Sequence, residues 1–178
     1  MAKPPPFGVT IFVQDIDKNL EYFTNTLGFR EVERMSGPDG RVAHAQVAWG
    51  TKPGAPILGL ASISGMLSGP EYDFGQFGQN LRNSPQTLGN GVVLYFHVPN
   101  VDKVYERITK NGAMIDEPPT DQFWGDRTIS VLTPDNYYMT FATPIKGFDP
   151  TETGMTVTRA KAAGRRKAAT KAKKKSKR

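Results

Sequence analysis

The chain contains no cysteine, which excludes disulfides, thiolate metal sites and cysteine nucleophiles. No apolar run approaches the roughly 20 residues that a membrane span needs. The stretch "MAKPPPFG" lacks a hydrophobic signal region, so the expected location is the cytoplasm, with no membrane partner. Acidic residues are missing from Thr158–Arg178, which holds 11 Lys or Arg. The formal charge of +6 therefore averages two unlike pieces, because residues 1–157 carry 12 basic against 17 acidic side chains, a net of −5. Hydrophobic residues are 38% of the chain, enough for a core once the polar tail is set aside.

Within that acidic body the periodicities are those of short strands and helices. "FGVTIFV" (7–13) is a β-branched and aromatic run that predicts a strand. Asp15 or Asp17 can cap a following helix, with Leu20, Phe23 and Leu27 at helical spacing and Gly28 at its end. "FREVERM", "RVAHAQVAW" and "APILGLASI" predict three more strands, with "SGPDG" as a hairpin turn. The same order then recurs. "VVLYFHV" is a strand, Asp102 opens a helix holding Val104, Tyr105 and Ile108, and "AMIDEP", "DRTISVL" and "YYMTFAT" complete the set. At an offset of 85, "VQDIDKNLEYFT" and "VPNVDKVYERIT" share five identities in twelve positions, the mark of a duplicated module. Residues 62–90, rich in Gly, Ser, Pro, Gln and Asn, read as a linker or a loop over a site.

The segments "FVQDIDKNLEYFTNTLGF", "FHVPNVDKVYERITKNGA" and "FWGDRTISVLTPDNYYMTF" resemble the vicinal oxygen chelate superfamily, which includes glyoxalase I, extradiol dioxygenases and the bleomycin-resistance proteins. The resemblance spans about residues 7–143. It implies an α+β fold of two βαβββ modules forming a cup-shaped sheet: a first module at 1–61, a linker at 62–90, a second module at 91–145 and a disordered basic tail at 146–178.

In that superfamily the first and last strand of each module supply metal ligands. The corresponding positions here are Gly8, Gly59, Val93 and Thr140, and none of these holds a divalent cation as imidazole or carboxylate does. The resemblance is thus to the metal-free, bleomycin-resistance-like branch, whose members sequester a ligand. No cofactor, metal or catalytic residue is expected.

Strand alternation carries the site further. If Gly8 and Val93 face the cup, so do Phe12, Tyr95 and His97, and Thr140 brings Tyr138 with it. With Trp124 at the rim, Phe12, Tyr95, His97, Trp124, Tyr138 and Thr140 form the expected ligand-binding set for an aromatic or cationic, antibiotic-like small molecule. Against this stand plainer roles: Phe12 and Tyr95 as core aromatics, His97 as a structural histidine, and Trp49 as core or dimer contact. A homodimer is expected because related two-module chains commonly pair. Two rival readings remain open. One is a metal-dependent lyase or dioxygenase with displaced ligands, drawing on His44, His97 and Glu71 or Asp121. The other is a nucleic-acid-associated protein acting through its tail, which lacks base-stacking aromatics and would bind nonspecifically.

Overall fold

The computed structural model describes residues 8–51, 54–66, 79–81, 83–84 and 88–154. Much of the expected linker, and the part of the expected 146–178 tail from 155 onward, lie outside the described residues, as does Glu71.

Strand β1 (Val9–Val13) leads into α1 (Ile16–Glu21), where Asp15 is the cap and accepts from the Lys18 N–H at 2.9 Å. Sequence spacing predicts one helix to Gly28. Instead α1 widens into a π-helical turn over Tyr22–Thr26, in which the Leu27 N–H reaches back five residues to the Tyr22 carbonyl. The extra residue keeps Leu20, Phe23 and Leu27 all buried. Strands β2 (Arg30–Ser36), β3 (Val42–Ala48) and β4 (Ile57–Ser62) complete the first sheet, and a single turn, α2 (Ile63–Met66), follows.

The second half repeats this plan. It consists of β5 (Val93–His97), α3 (Val101–Lys110), β6 (Ile115–Asp121), β7 (Asp126–Leu132) and β8 (Tyr138–Pro144). Asn100, the counterpart of Asp15, is the cap of α3, and Asp102 sits in its first turn. Sheet A has the order β1-β4-β3-β2 and sheet B the order β5-β8-β7-β6. In each, the first and last strands of the module pair in parallel and the other pairs are antiparallel. The paired α+β modules expected from the sequence are present. Pro118 and Pro119 fall on β6, an edge strand with register shifts, where a missing N–H costs no ladder bond. After Phe148 a separate unit begins, of which residues 149–154 are described as a short 3₁₀ turn capped by Asp149. No described helix is long and apolar enough to cross a membrane.

Alternation sorts the strands into two faces. Ile11, Val13, Ala45, Val47, Leu58 and Leu60 of sheet A are buried, as are Ile129, Val131, Met139 and Phe141 of sheet B. These faces share one core. Phe29 meets Phe23, Trp49 and Phe96 with ring centroids 5.0–5.4 Å apart, and Trp49 meets Phe141 at 4.9 Å. Trp49 therefore packs against the core, partly buried. Arg107 of α3 lies 5.2 Å over its ring and donates to the Leu27 carbonyl at 2.9 Å, closing the end of the first helix from the second module.

The turn after β7 fastens the modules from the other side. Asp135 is 4% exposed, and its carboxylate accepts from the Gln14 backbone and side chain at 3.2 and 3.0 Å and from Asn19 at 2.6 Å. Asn136 takes the left-handed conformation (φ 62°) that this turn requires. Next to it, the Tyr137 hydroxyl donates to the Phe12 carbonyl at 2.8 Å, and the Tyr22 hydroxyl donates to the Leu132 carbonyl at 2.9 Å.

Replacing Asp135 by Ala strands buried donors on Gln14 and Asn19. The expected loss is about 3 kcal/mol, or roughly 6–12 °C in Tm for a domain of this size, read by calorimetry. Burial pushes the Tyr137 phenol up to about 12, with the bond to Phe12 opposing and the Asp135 charge adding. The unfolded chain ionises near pH 10, so this stabilisation is complete below pH 10 and is lost as pH rises toward 12. Between pH 9 and 12 the chain should lose about 2–3 kcal/mol more than its Tyr137→Phe variant in urea unfolding. Identical losses would rule this out.

Candidate small-molecule site

The face of sheet B turned away from the core carries Val93, Tyr95 and His97 on β5, and Tyr138, Thr140 and Ala142 on β8. Thr128, Ser130 and Leu132 lie beside them on β7. The cross-strand rows are Leu132–Tyr138–Val93, Ser130–Thr140–Tyr95 and Thr128–Ala142–His97. β7 begins with Asp126 on the same face, delivered by a turn in which Gly125 has φ +100°. Any side chain on Gly125 would collide with the Phe148 ring, so this glycine serves both a backbone conformation and a close approach.

Three side chains form a relay. The Tyr95 hydroxyl donates to Asp126 Oδ2 at 2.7 Å and accepts from the Trp124 indole N–H at 3.2 Å. His97 Nε2 lies 3.8 Å from the same carboxylate oxygen, and its ring is 5.4 Å from that of Tyr95. Phe123 meets Trp124 edge-on at 4.9 Å. Although tied down, these rings stay open to solvent: Tyr95 is 40% exposed, Trp124 43% and Phe123 61%. Burial raises the Tyr95 phenol above its ordinary value, with the Trp124 bond opposing and the Asp126 charge adding. A bond with Ser130 lowers the Tyr138 phenol, but burial and the carboxylates of Asp116 and Glu117 outweigh it and leave the phenol raised.

Of the six residues expected from the sequence, Tyr95, His97 and Trp124 come together, and Tyr138 lies on the same face one row over. Thr140 also faces this way, but it is 5% exposed and shares its hydroxyl with Ser130 at 3.2 Å, so it backs the face. Phe12 lies on sheet A, half-buried against the core, opposite Ala61. Sequence reasoning missed Asp126 and Phe123. Both flank Trp124 in "FWGDR", and the signal was the glycine turn that brings residue 126 back beneath the indole.

The positions at which the fold would place a metal do not fit one. Gly8 and Gly59 have no side chain. A Cβ at Gly59 would collide with the Thr10 hydroxyl and lie 3.3 Å from His44 Nε2, so Thr10 and His44 already fill the space of a carboxylate there. Val93 offers hydrocarbon, and the Thr140 hydroxyl is engaged. His44 sits on sheet A with a buried, unpaired Nδ1, whereas His97 is on sheet B and Asp121 is paired to Arg127 at 2.8 Å. Among the described residues no three of His, Asp and Glu converge.

A groove of about 450 Å³ also opens beside the π-helical turn, lined by Lys18, Tyr22, Asn111 and Pro134 among others. Two of its polar side chains serve the fold: Asn111 donates to the Asn25 and Thr26 carbonyls, and Tyr22 to Leu132.

The sequence profile of the Glyoxalase/Bleomycin resistance protein/Dioxygenase superfamily matches residues 8–141. The chain belongs to that superfamily. The Mycobacterium tuberculosis (strain ATCC 25618 / H37Rv) protein Rv0887c is 24% identical over 143 residues, covering 80% of this chain and 76% of that protein. The crystal structure of a glyoxalase/bleomycin resistance protein/dioxygenase from Nocardioides aligns with a TM-score of 0.59 at 20% identity, over 84% of this chain and 89% of that one. TnmS3, an antibiotic binding protein from Streptomyces sp. CB03234, aligns with a TM-score of 0.54 at 20% identity, over 81% and 98%. At these identities the structural likeness speaks for the fold alone.

Proposed function

We propose that this chain binds a planar aromatic, antibiotic-like small molecule on the open face of sheet B and acts by sequestering it, without metal or chemistry. The carrying observation is the Trp124–Tyr95–Asp126 relay. Exposed aromatic rings ordinarily lose rotamer freedom when a ligand stacks on them, and here hydrogen bonds have already fixed two of the three. Pre-ordered rings of this kind supply stacking area with little entropic cost. The antibiotic-binding description of TnmS3 supports the ligand class, and the misfit of Gly8, Gly59, Val93 and Thr140 to a cation supports the absence of metal chemistry.

The two tryptophans make a direct test. Trp49 is packed against the core and Trp124 is exposed, so a flat ligand should quench the emission of Trp124 selectively. In a thermal-shift and fluorescence screen of planar aromatic drugs, Trp124→Ala should weaken the best binder roughly 10- to 100-fold, the value of one stacking contact. An unchanged Kd would refute the reading.

The working unit in this proposal is a cytoplasmic homodimer. Val93 on β5, Phe123 in the turn before β7, and Met35 on the outward face of sheet A are 55–61% exposed. A second copy seated on these apolar residues, with the ligand enclosed between it and the Trp124 and Tyr95 rings, accounts for such exposure. Light scattering should return twice the chain mass, and Phe123→Glu should reduce it toward one. A single-chain mass for the wild type would exclude the dimer.

A further inference from the structure

Asp126 is a half-buried carboxylate of sheet B with no Lys or Arg partner among the described residues. Its side chain is 17% exposed, so it has given up much of its hydration. In return Oδ2 receives one neutral donor, the Tyr95 hydroxyl. His97 Nε2, at 3.8 Å from that same oxygen, is beyond hydrogen-bonding distance but within ion-pairing range, and it answers the charge only when protonated. Among the described residues Oδ1 has no hydrogen-bond partner, and no Lys or Arg comes within ion-pairing distance of the carboxylate. The adjacent Arg127 points to the other side of the strand, where it is held by Asp102 at 3.0 Å and Asp121 at 2.8 Å. Two further carboxylates, Asp116 and Glu117, lie near enough to Tyr138 to act on its phenol.

The rings beside Asp126 bear on what would complete it. Tyr95 bridges Asp126 to the Trp124 indole, so the carboxylate lies no more than about 6 Å from the indole nitrogen, two hydrogen bonds end to end. An ammonium group placed there would donate a charge-assisted bond to Oδ1 while its carbon-bound hydrogens rest on electron-rich ring faces. An anionic or merely polar group gains neither contact. We infer that Asp126 anchors a protonated amine carried by the ligand, close to its aromatic ring system, an inference that rests on the aromatic-ligand reading of this face. Tyr95 is then a positioning residue, holding the carboxylate and the indole in one geometry.

Three probes of the same ring system and different charge test this on the full chain: 9-(aminomethyl)anthracene (cationic as its ammonium), 9-anthracenemethanol (neutral) and 9-anthracenecarboxylate (anionic). Wild-type protein should bind 9-(aminomethyl)anthracene at least tenfold more tightly than the neutral probe, and the anionic probe most weakly. Asp126→Asn keeps an oxygen that can accept from Tyr95 and should erase the cation preference, bringing the ratio of 9-(aminomethyl)anthracene to 9-anthracenemethanol affinity down about tenfold or more. Asp126→Glu keeps the charge and should retain most of the preference, which separates a lost anchor from a damaged fold. Melting curves check that both variants are folded, and if Asp126→Asn is not, the Asp126→Glu protein and the wild-type charge series decide. Equal binding of the three probes by the wild type, or an unchanged preference of Asp126→Asn for 9-(aminomethyl)anthracene, would overturn the inference. If 9-anthracenemethanol binds through Trp124 but charge makes no difference, the aromatic site stands and the anchor falls. Failure of all three probes to bind would overturn both.

Discussion

The two sheets are held in one arrangement by a buried carboxylate that has no cationic partner among the described residues. Asp135 reaches from the β7–β8 turn of the second module to the β1–α1 junction of the first, where three N–H donors surround it. Neutral donors can hold a buried anion when several converge, and here they belong to the residues that end β1 and open α1. Arg107 does the reciprocal work, stacking on Trp49 and capping the end of the first helix from α3. Everything on the open face of sheet B depends on this, since β8, which continues from the clasped turn, is the strand that aligns β5 and β7 side by side.

Much of the architecture was legible because the period of two and the caps of both modules are explicit in the sequence. Asp15, one of two candidates, caps α1, and Asn100, two residues before the Asp102 expected to open the second helix, caps α3; the alternation of "VVLYFHV" and "YYMTFAT" separates the core residues Leu94, Met139 and Phe141 from the outward Tyr95 and Tyr138. Less legible were features created by two segments meeting. "TPDN" reads as turn chemistry, which it is, but nothing local says that its aspartate will be buried 116 and 121 residues away in sequence from its partners. The same holds for Asp126, whose role appears only when Tyr95 from another strand lands on it. The π-helical turn escaped for a different reason: its apolar spacing is compatible with an ordinary helix, and only the hydrogen-bond register differs.

Duplication left the modules alike in fold and unlike in chemistry. In the parallel pair of sheet A, Thr10 lies beside Gly59, and in sheet B the equivalent pair is Tyr95 beside Thr140. The first module has kept this position small, with His44 and Thr10 crowding the glycine, whereas the second has filled it with a ring and a hydroxyl. Sheet B thus carries the more aromatic outward surface, and sheet A the less aromatic one. Both modules lack a strong metal ligand at the strand positions where the superfamily's enzymes would need one.

Core and surface occupy alternate letters of the same strands. On β8, Met139 and Phe141 are 0% exposed and belong to the core, and Tyr138 and Thr140, which alternate with them, lie on the other face; on β5, Leu94 and Phe96 face in while Val93 and Tyr95 face out. A drift in the outward letters alters what the surface accepts and leaves the inward letters, and so the folding free energy, nearly untouched. Such a chain can change its surface by single substitutions without crossing an unstable intermediate. This separability gives a physical reason why one scaffold can carry many different functions.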